Sequence, residues 1–154
     1  MRLEDTQQCL NFLVRRAARI MARHFDDALR PAGLRATQFT LLAALAQTPA
    51  MPVTRLAEIL AIERSALARN LKPLERMGYV TVKTGEDRRA RMAVITARGR
   101  RKLIAALPVW SAAHQRLCEK IGTAESGQLG AALNLVIRQK ATKTTRAVAS
   151  KRGP

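Results

Sequence analysis

Apolar residues recur along this 154-residue chain at two spacings, and the change between them marks its organisation. Leu10, Leu13, Val14, Ala17, Met21, Phe25 and Ala28 follow the i, i+3, i+4, i+7 rhythm of one helix face. That rhythm predicts a first helix over residues 5–30, stopped by Pro31 and Gly33. A second helix is expected to start at a Thr37 cap, to bury Phe39, Leu41, Leu42 and Leu45, and to end at Pro49 and Pro52. A third, capped by Thr54, turns Leu56, Ile59 and Leu60 inward, with Ala57 small enough for another helix to cross close by. Ala61-Ile62 make a tight turn into a fourth helix, Glu63 to Met77, whose inner stripe is Leu67, Leu71 and Leu74. Gly78 caps it, and the period then falls to two. Tyr79 to Val82 and Met92 to Ile95 read as a hairpin turning at Gly85-Glu86-Asp87. Thr96 caps a fifth helix, Ala97 to Ile121, bent at Pro108, with Trp110 and Leu117 expected inside. Gly122 ends it, and Thr123 starts a sixth whose stripe is Leu129, Ala132, Leu133, Val136 and Ile137.

This order is mainly α with a small β-wing: a winged helix-turn-helix of six helices. The DNA-binding lobe is expected over residues 37–96. A dimerisation helix precedes it (1–36), and dimerisation helices with a basic tail follow (97–154), all within one structural domain per protomer. The lobe closes its own small core. The stripes on the first, fifth and sixth helices therefore need a further surface, and symmetric self-pairing is the commonest solution. The expectation is a homodimer joined through its N- and C-terminal helices, with two recognition helices on a palindromic operator.

Charge sharpens the picture. The net charge of +17 calls for a polyanionic partner. Residues 54–102 hold 13 of the 28 lysines and arginines against 5 of the 11 acids, so the excess is densest on the helix-turn-helix and favours double-stranded DNA over a membrane. No apolar run approaches the roughly 20 residues of a membrane span, and the acidic start MRLEDTQQCL is unlike a signal peptide. The expected location is cytoplasmic. Two cysteines 109 positions apart make no disulfide framework, and His24 and His114 are isolated. No metal set, phosphate loop, nucleophile elbow or carboxylate pair is present, which leaves no cofactor and no enzyme to argue for.

With Leu67 at zero and about 100° per residue, Ser65, Arg69, Lys72 and Arg76 gather opposite the inner stripe. A solvated basic face is the plain alternative, but the turn before and the hairpin after favour a DNA-reading surface. Ser65, Ala66, Arg69 and Asn70, in the first two turns, are placed to reach base edges: Ser65 and Asn70 by hydrogen bonds, Ala66 by its methyl, Arg69 by a bidentate bond to guanine or by a phosphate clamp. Pro73 is expected to bend the helix beyond them. Arg88, Arg89 and Arg91 at the hairpin tip suit the negative minor groove, with Asp87 orienting Arg89.

The chain resembles the MarR family. Its wing pattern, Asp-x-Arg, five residues, then Leu-Thr-x-x-Gly, stands here as Asp87, Arg89, then Ile95-Thr96 and Gly99, with Ile for Leu. The segment IERSALARNLKPLERMGYV is also similar, and the likeness covers nearly the whole chain. It implies a dimeric regulator, often a repressor, released from DNA by a small molecule or by cysteine oxidation. The ligand pocket it implies would draw on Phe12, Arg16, Phe25, Phe39, Leu42, Trp110 and His114, although a plain core or surface role is the better reading of each. The arginine excess suits an anionic or aromatic-acid effector.

In the hydroperoxide-sensing branch a first-helix cysteine is the reactive thiol, and one in the partner's fifth helix can bond to it. Cys9 and Cys118 fall at similar places. That branch polarises its thiol with tyrosines, where this chain offers Phe25 and Phe39, leaving Arg15 or Arg16 to compensate. The weighing favours Cys9 as an inert small apolar residue. Two rivals of other classes are a nucleoid-type architectural protein, which Ser65 and Asn70 argue against, and a thiol enzyme, which would need a base and an orienter beside the cysteine.

Overall fold

The computed structural model describes residues 6, 8–85 and 90–149, with side chains to residue 139. The helices are α1 (Leu10–Leu29), α2 (Ala36–Ala46), α3 (Val53–Ile59), α4 (Arg64–Arg76), α5 (Ala97–Ile121) and α6 (Thr123–Ala149). The strands are β1 (Met51–Pro52), β2 (Val80–Thr84) and β3 (Arg91–Ile95), in one antiparallel sheet of order β1-β3-β2. Val80 pairs with Ile95 and Thr84 with Arg91, so the hairpin narrows to Gly85, whose N–H donates to the Ala90 carbonyl at 2.7 Å. Glu86, Asp87, Arg88 and Arg89 lie outside the described residues. The chain divides into two compact units, residues 1–113 and 114–154.

In the first unit one core gathers Leu29, Leu42, Leu45, Leu56, Leu67, Leu74, Val80, Ala93 and Leu103. The α4 stripe is buried throughout, as its spacing requires. α1 is half a stripe: Leu29 is fully buried, whereas Leu10, Leu13 and Val14 are exposed.

Several local expectations are corrected. α1 begins at Leu10, after an extended Cys9, and a 3₁₀ turn at Arg30–Ala32 follows it. Thr37 and Thr54 are not caps but lie inside their helices, which start at Ala36 and Val53. Asp26, a full turn before the end of α1, supplies what Thr37 does not: its Oδ1 accepts the Ala36 N–H at 2.7 Å. Ile59 is exposed, because it lies roughly 100° from the face that Leu56, Ala57 and Leu60 share. Trp110 and Leu117 are half-buried rather than buried. β1 is an element the sequence reading lacks: Met51 pairs with Ala93 and Pro52 with Met92, on a sheet edge where proline costs no ladder bond. Pro73 lies inside α4, in its last turn, and Pro108 inside α5.

Helix ends fix the geometry of the lobe. After α4 the Gly78 N–H donates to the Glu75 carbonyl at 2.9 Å and the Tyr79 N–H to Leu74 at 2.9 Å. This is a Schellman ending, and Gly78 supplies its left-handed residue at φ +70°. After α3 the same pair of bonds forms, Ala61 to Glu58 at 3.1 Å and Ile62 to Ala57 at 3.0 Å, with Ala61 itself at φ +52°.

Thr96 joins the wing to α4 and α5. Its hydroxyl donates to the Gly78 carbonyl at 2.7 Å and accepts the Gly99 N–H at 3.0 Å, and its own N–H donates to Tyr79 at 3.0 Å. Gly99 has no room for a side chain: a Cβ there would stand 2.1 Å from the Tyr79 carbonyl oxygen.

In the second unit the Ser126 hydroxyl bonds the Gly122 carbonyl at 2.7 Å and Cys118 lies 3.6 Å from His114 Nε2. Leu129, Leu135, Val136 and Ile137 are all exposed.

Candidate nucleic-acid interface

α4 is the candidate reading helix, and burial of Leu67, Leu71 and Leu74 sets which face it shows. Ser65, Arg69, Lys72 and Arg76 are exposed on the opposite side, as the 100° wheel requires. Ala66 and Asn70 occupy the shoulder of the helix and are half-buried. Arg64, which the sequence reading passed over, is the first helical residue and is exposed. Its signal was available, since a cation two residues beyond the helix-turn-helix turn stands at the end that enters a groove first.

The cations on this face are uncommitted. Among the described residues the ion pairs are Arg30 with Asp27 and Arg55 with Glu58, and neither involves α4. The wing base joins the same surface: Lys72 and Glu75 of α4 and Arg91 of β3 line one crevice, floored by Leu71 and Val82. Arg91 is exposed there. The other wing positions, Asp87, Arg88 and Arg89, fall outside the described residues, as does the proposed Asp87–Arg89 pair.

The candidate ligand residues separate. Phe39 and Leu42 are buried in the core. Trp110 stacks on Phe39 at 5.4 Å between centroids and on Phe25 at 6.3 Å, and His24 meets Phe25 edge-on at 5.4 Å. His24 Nε2 also donates to the Ala113 carbonyl at 2.9 Å, which orients the ring. Phe12 and Arg16 are exposed on α1, and His114 is exposed on α5 beside Cys118. Cys9 is an exposed free thiol and Cys118 a half-buried one. Among the described residues no three His, Cys, Asp or Glu side chains form a metal set, and no helix is long and apolar enough to cross a membrane.

A short helix, a turn, an exposed basic helix and a β-hairpin pinned to its end define a winged-helix protein of the DNA-binding kind. A family model described as "MarR family" matches residues 32–90. The transcriptional regulator MosR of M. tuberculosis, solved in complex with DNA, is 34% identical, with 83% of this chain and 98% of that one covered and a TM-score of 0.69. The chain belongs to the MarR family of transcriptional regulators.

CouR, a transcriptional repressor solved on a 23-mer DNA duplex, is 25% identical, with 88% and 97% of the two chains covered and a TM-score of 0.76. CouR from Rhodococcus jostii RHA1 has also been solved with p-coumaroyl-CoA; at 23% identity, 84% and 91% coverage and a TM-score of 0.72, that likeness shows the fold alone. YwoH of Bacillus subtilis (strain 168), an uncharacterized HTH-type transcriptional regulator, is 29% identical over 89 residues, 58% of this chain. The chain spans 65% of the length of that curated relative.

Proposed function

We propose that this protein is a homodimeric, sequence-specific repressor that binds an inverted-repeat operator and is released by a small anionic ligand. The observation that carries the reading is the exposed face of α4, where Ser65, Arg69, Lys72 and Arg76 stand free of carboxylates among the described residues. In this reading Ser65, Ala66, Arg69 and Asn70 contact bases and Lys72 and Arg76 contact phosphates. Arg91, with Arg88 and Arg89, enters the adjacent minor groove. Asp87 supports Arg89. The protein acts in the cytoplasm, on DNA rather than as an enzyme.

The test is anisotropy titration of the purified protein on the duplex upstream of its own gene and on a scrambled duplex of equal length, at near-physiological salt. Binding tighter on the upstream duplex by about a thousandfold or more is the expected result. Equal affinity for both, repeated on a selected pool of random duplexes, would put the architectural reading first.

A second reading is thiol sensing through Cys9, with Cys118 as its second thiol; it is supported by the exposure of the free Cys9 thiol and by the 3.6 Å contact of Cys118 Sγ with His114 Nε2. Mild peroxide that abolishes DNA binding in the wild type but not in Cys9→Ser would favour this reading over ligand release.

A further inference from the structure

α1 carries a row of cations that the fold itself does not use. Arg15, Arg19 and Arg23 recur at intervals of four, with Arg16 beside the first, and all four are exposed. None of them takes part in an ion pair among the described residues. Residues 6–25 contain no aspartate or glutamate. The two acids that follow are engaged elsewhere, Asp26 with the Ala36 N–H at 2.7 Å and Asp27 with Arg30. Like charges four apart on one helix repel and weaken it. The row therefore works against the helix, and no contact within the protomer offsets it.

Its placement separates it from the other surfaces of the protomer. With Leu29 at zero and about 100° per residue, the four arginines fall between roughly 40° and 140° around α1. The bare Leu10, Leu13 and Val14 fall on the opposite side, between roughly 200° and 300°. A second copy seated on that apolar side leaves the arginines in solvent. α1 packs against α2, and α2 against α4, so a helix stands between the row and the reading helix.

We propose that the arginine row of α1 binds the phosphate backbone of a second DNA segment, so that protein bound through α4 holds two duplexes together. Successive arginines of the row stand about 6 Å apart along the helix axis. A duplex carries one charge per roughly 1.7 Å of its axis, so each arginine meets an anion without any matched spacing. An acidic peptide would need carboxylates set at the interval of the row. The planar guanidinium fork suits phosphate oxygens. The contact reads no base, and it is salt-sensitive. Binding by the row stands apart from the reading by α4, whereas the tethering rests on both.

The experiment uses full-length protein and a duplex of random sequence at low salt, read by anisotropy. In one variant Arg69→Gln, Lys72→Gln and Arg76→Gln disable the face of α4, and DNA binding through α1 is expected to remain. Adding Arg15→Gln, Arg19→Gln and Arg23→Gln should weaken that binding by about tenfold or more and lower the salt slope by about three units. Lysines at the same three positions should retain it, which separates charge from any effect on folding. Energy transfer between donor- and acceptor-labelled duplexes should rise with wild-type protein. It should vanish when the α1 glutamines are placed in the wild-type background, although single-duplex binding through α4 persists. No residual binding in the α4 variant, residual binding indifferent to the α1 glutamines, or undiminished energy transfer would overturn the proposal. Binding to polyglutamate that the α1 glutamines abolish, with duplex binding intact, would assign the row to an acidic protein instead. Undiminished binding after the α4 substitutions alone would count against the reading helix, and the α1 glutamines in the wild-type background still decide the row.

Discussion

At the scale of single residues, Ala61 is the one described non-glycine residue with positive φ, +52°, and it lies in the turn of the helix-turn-helix. An alanine in the left-handed region carries a steric cost that glycine lacks, offset in part by the greater freedom of glycine in the unfolded chain. Ala61→Gly should therefore raise stability by about 0.5–1 kcal/mol in urea unfolding. A fall instead would show that the exposed methyl makes a contact worth more than the strain. Thr96 is the opposite case, a side chain whose type is fixed by two bonds. Thr96→Val keeps its shape but loses the bonds to Gly78 and Gly99, and should cost about 1–3 kcal/mol, while Thr96→Ser should cost less than about 1. Equal losses in the two variants would assign the role of Thr96 to packing. The Thr-x-x-Gly spacing was legible in the sequence, but its reason was not. That reason is the Tyr79 carbonyl, which comes to Gly99 from another element.

Elements were legible where one periodicity ran long enough. The Leu67, Leu71, Leu74 stripe located α4 and so fixed which residues point away from the core. Boundaries were misread where the deciding group lies far along the chain. Asp26 serves the start of α2 from ten residues upstream, a partner that the local pattern around Thr37 does not reveal. β1 went unseen because two residues carry no alternation, and its pairing with β3 is a tertiary fact. The wheel for α4 also separates its polar residues into an exposed Ser65 and a half-buried Asn70. This yields a graded expectation for the proposed operator. Ser65→Ala should lower discrimination against single mismatched base pairs with little effect on the salt slope, since a hydroxyl-to-base bond releases no counterion. Asn70→Ala should act in the same direction and also lower stability, because part of its side chain is packed. Competition binding with mismatched duplexes, alongside thermal unfolding, separates the two effects. Undiminished discrimination in both variants would move sequence reading to Arg69 or to DNA shape.

At the scale of the whole molecule the deciding observation is apolar surface left bare. Leu135, Val136 and Ile137 are 65%, 68% and 65% exposed, and three consecutive helical residues point in three directions about 100° apart. α6 therefore needs cover on more than one side, which a single stripe along it would not require. α1 shows the same need differently, anchored by a fully buried Leu29 and bare at Leu10, Leu13 and Val14. Exposed apolar area of this extent marks an interaction surface. Because it recurs on two helices of one chain, a second copy can satisfy both by symmetry. Leu13→Lys and Val136→Lys each place an unpaired charge on such a face, and desolvating it would cost several kcal/mol in the assembled form. Each variant is expected to weaken the proposed dimer by about a hundredfold or more, read by light scattering across a dilution series. The unfolding midpoint of the isolated protomer should change little, since both positions are exposed within it. DNA adds an independent reading. Loss of dimerisation should reduce affinity for an inverted repeat far more than for a single half-site, because only the repeat engages both recognition helices. A variant that remains dimeric by scattering and keeps its preference for the repeat would show that its face is covered by something other than the second copy.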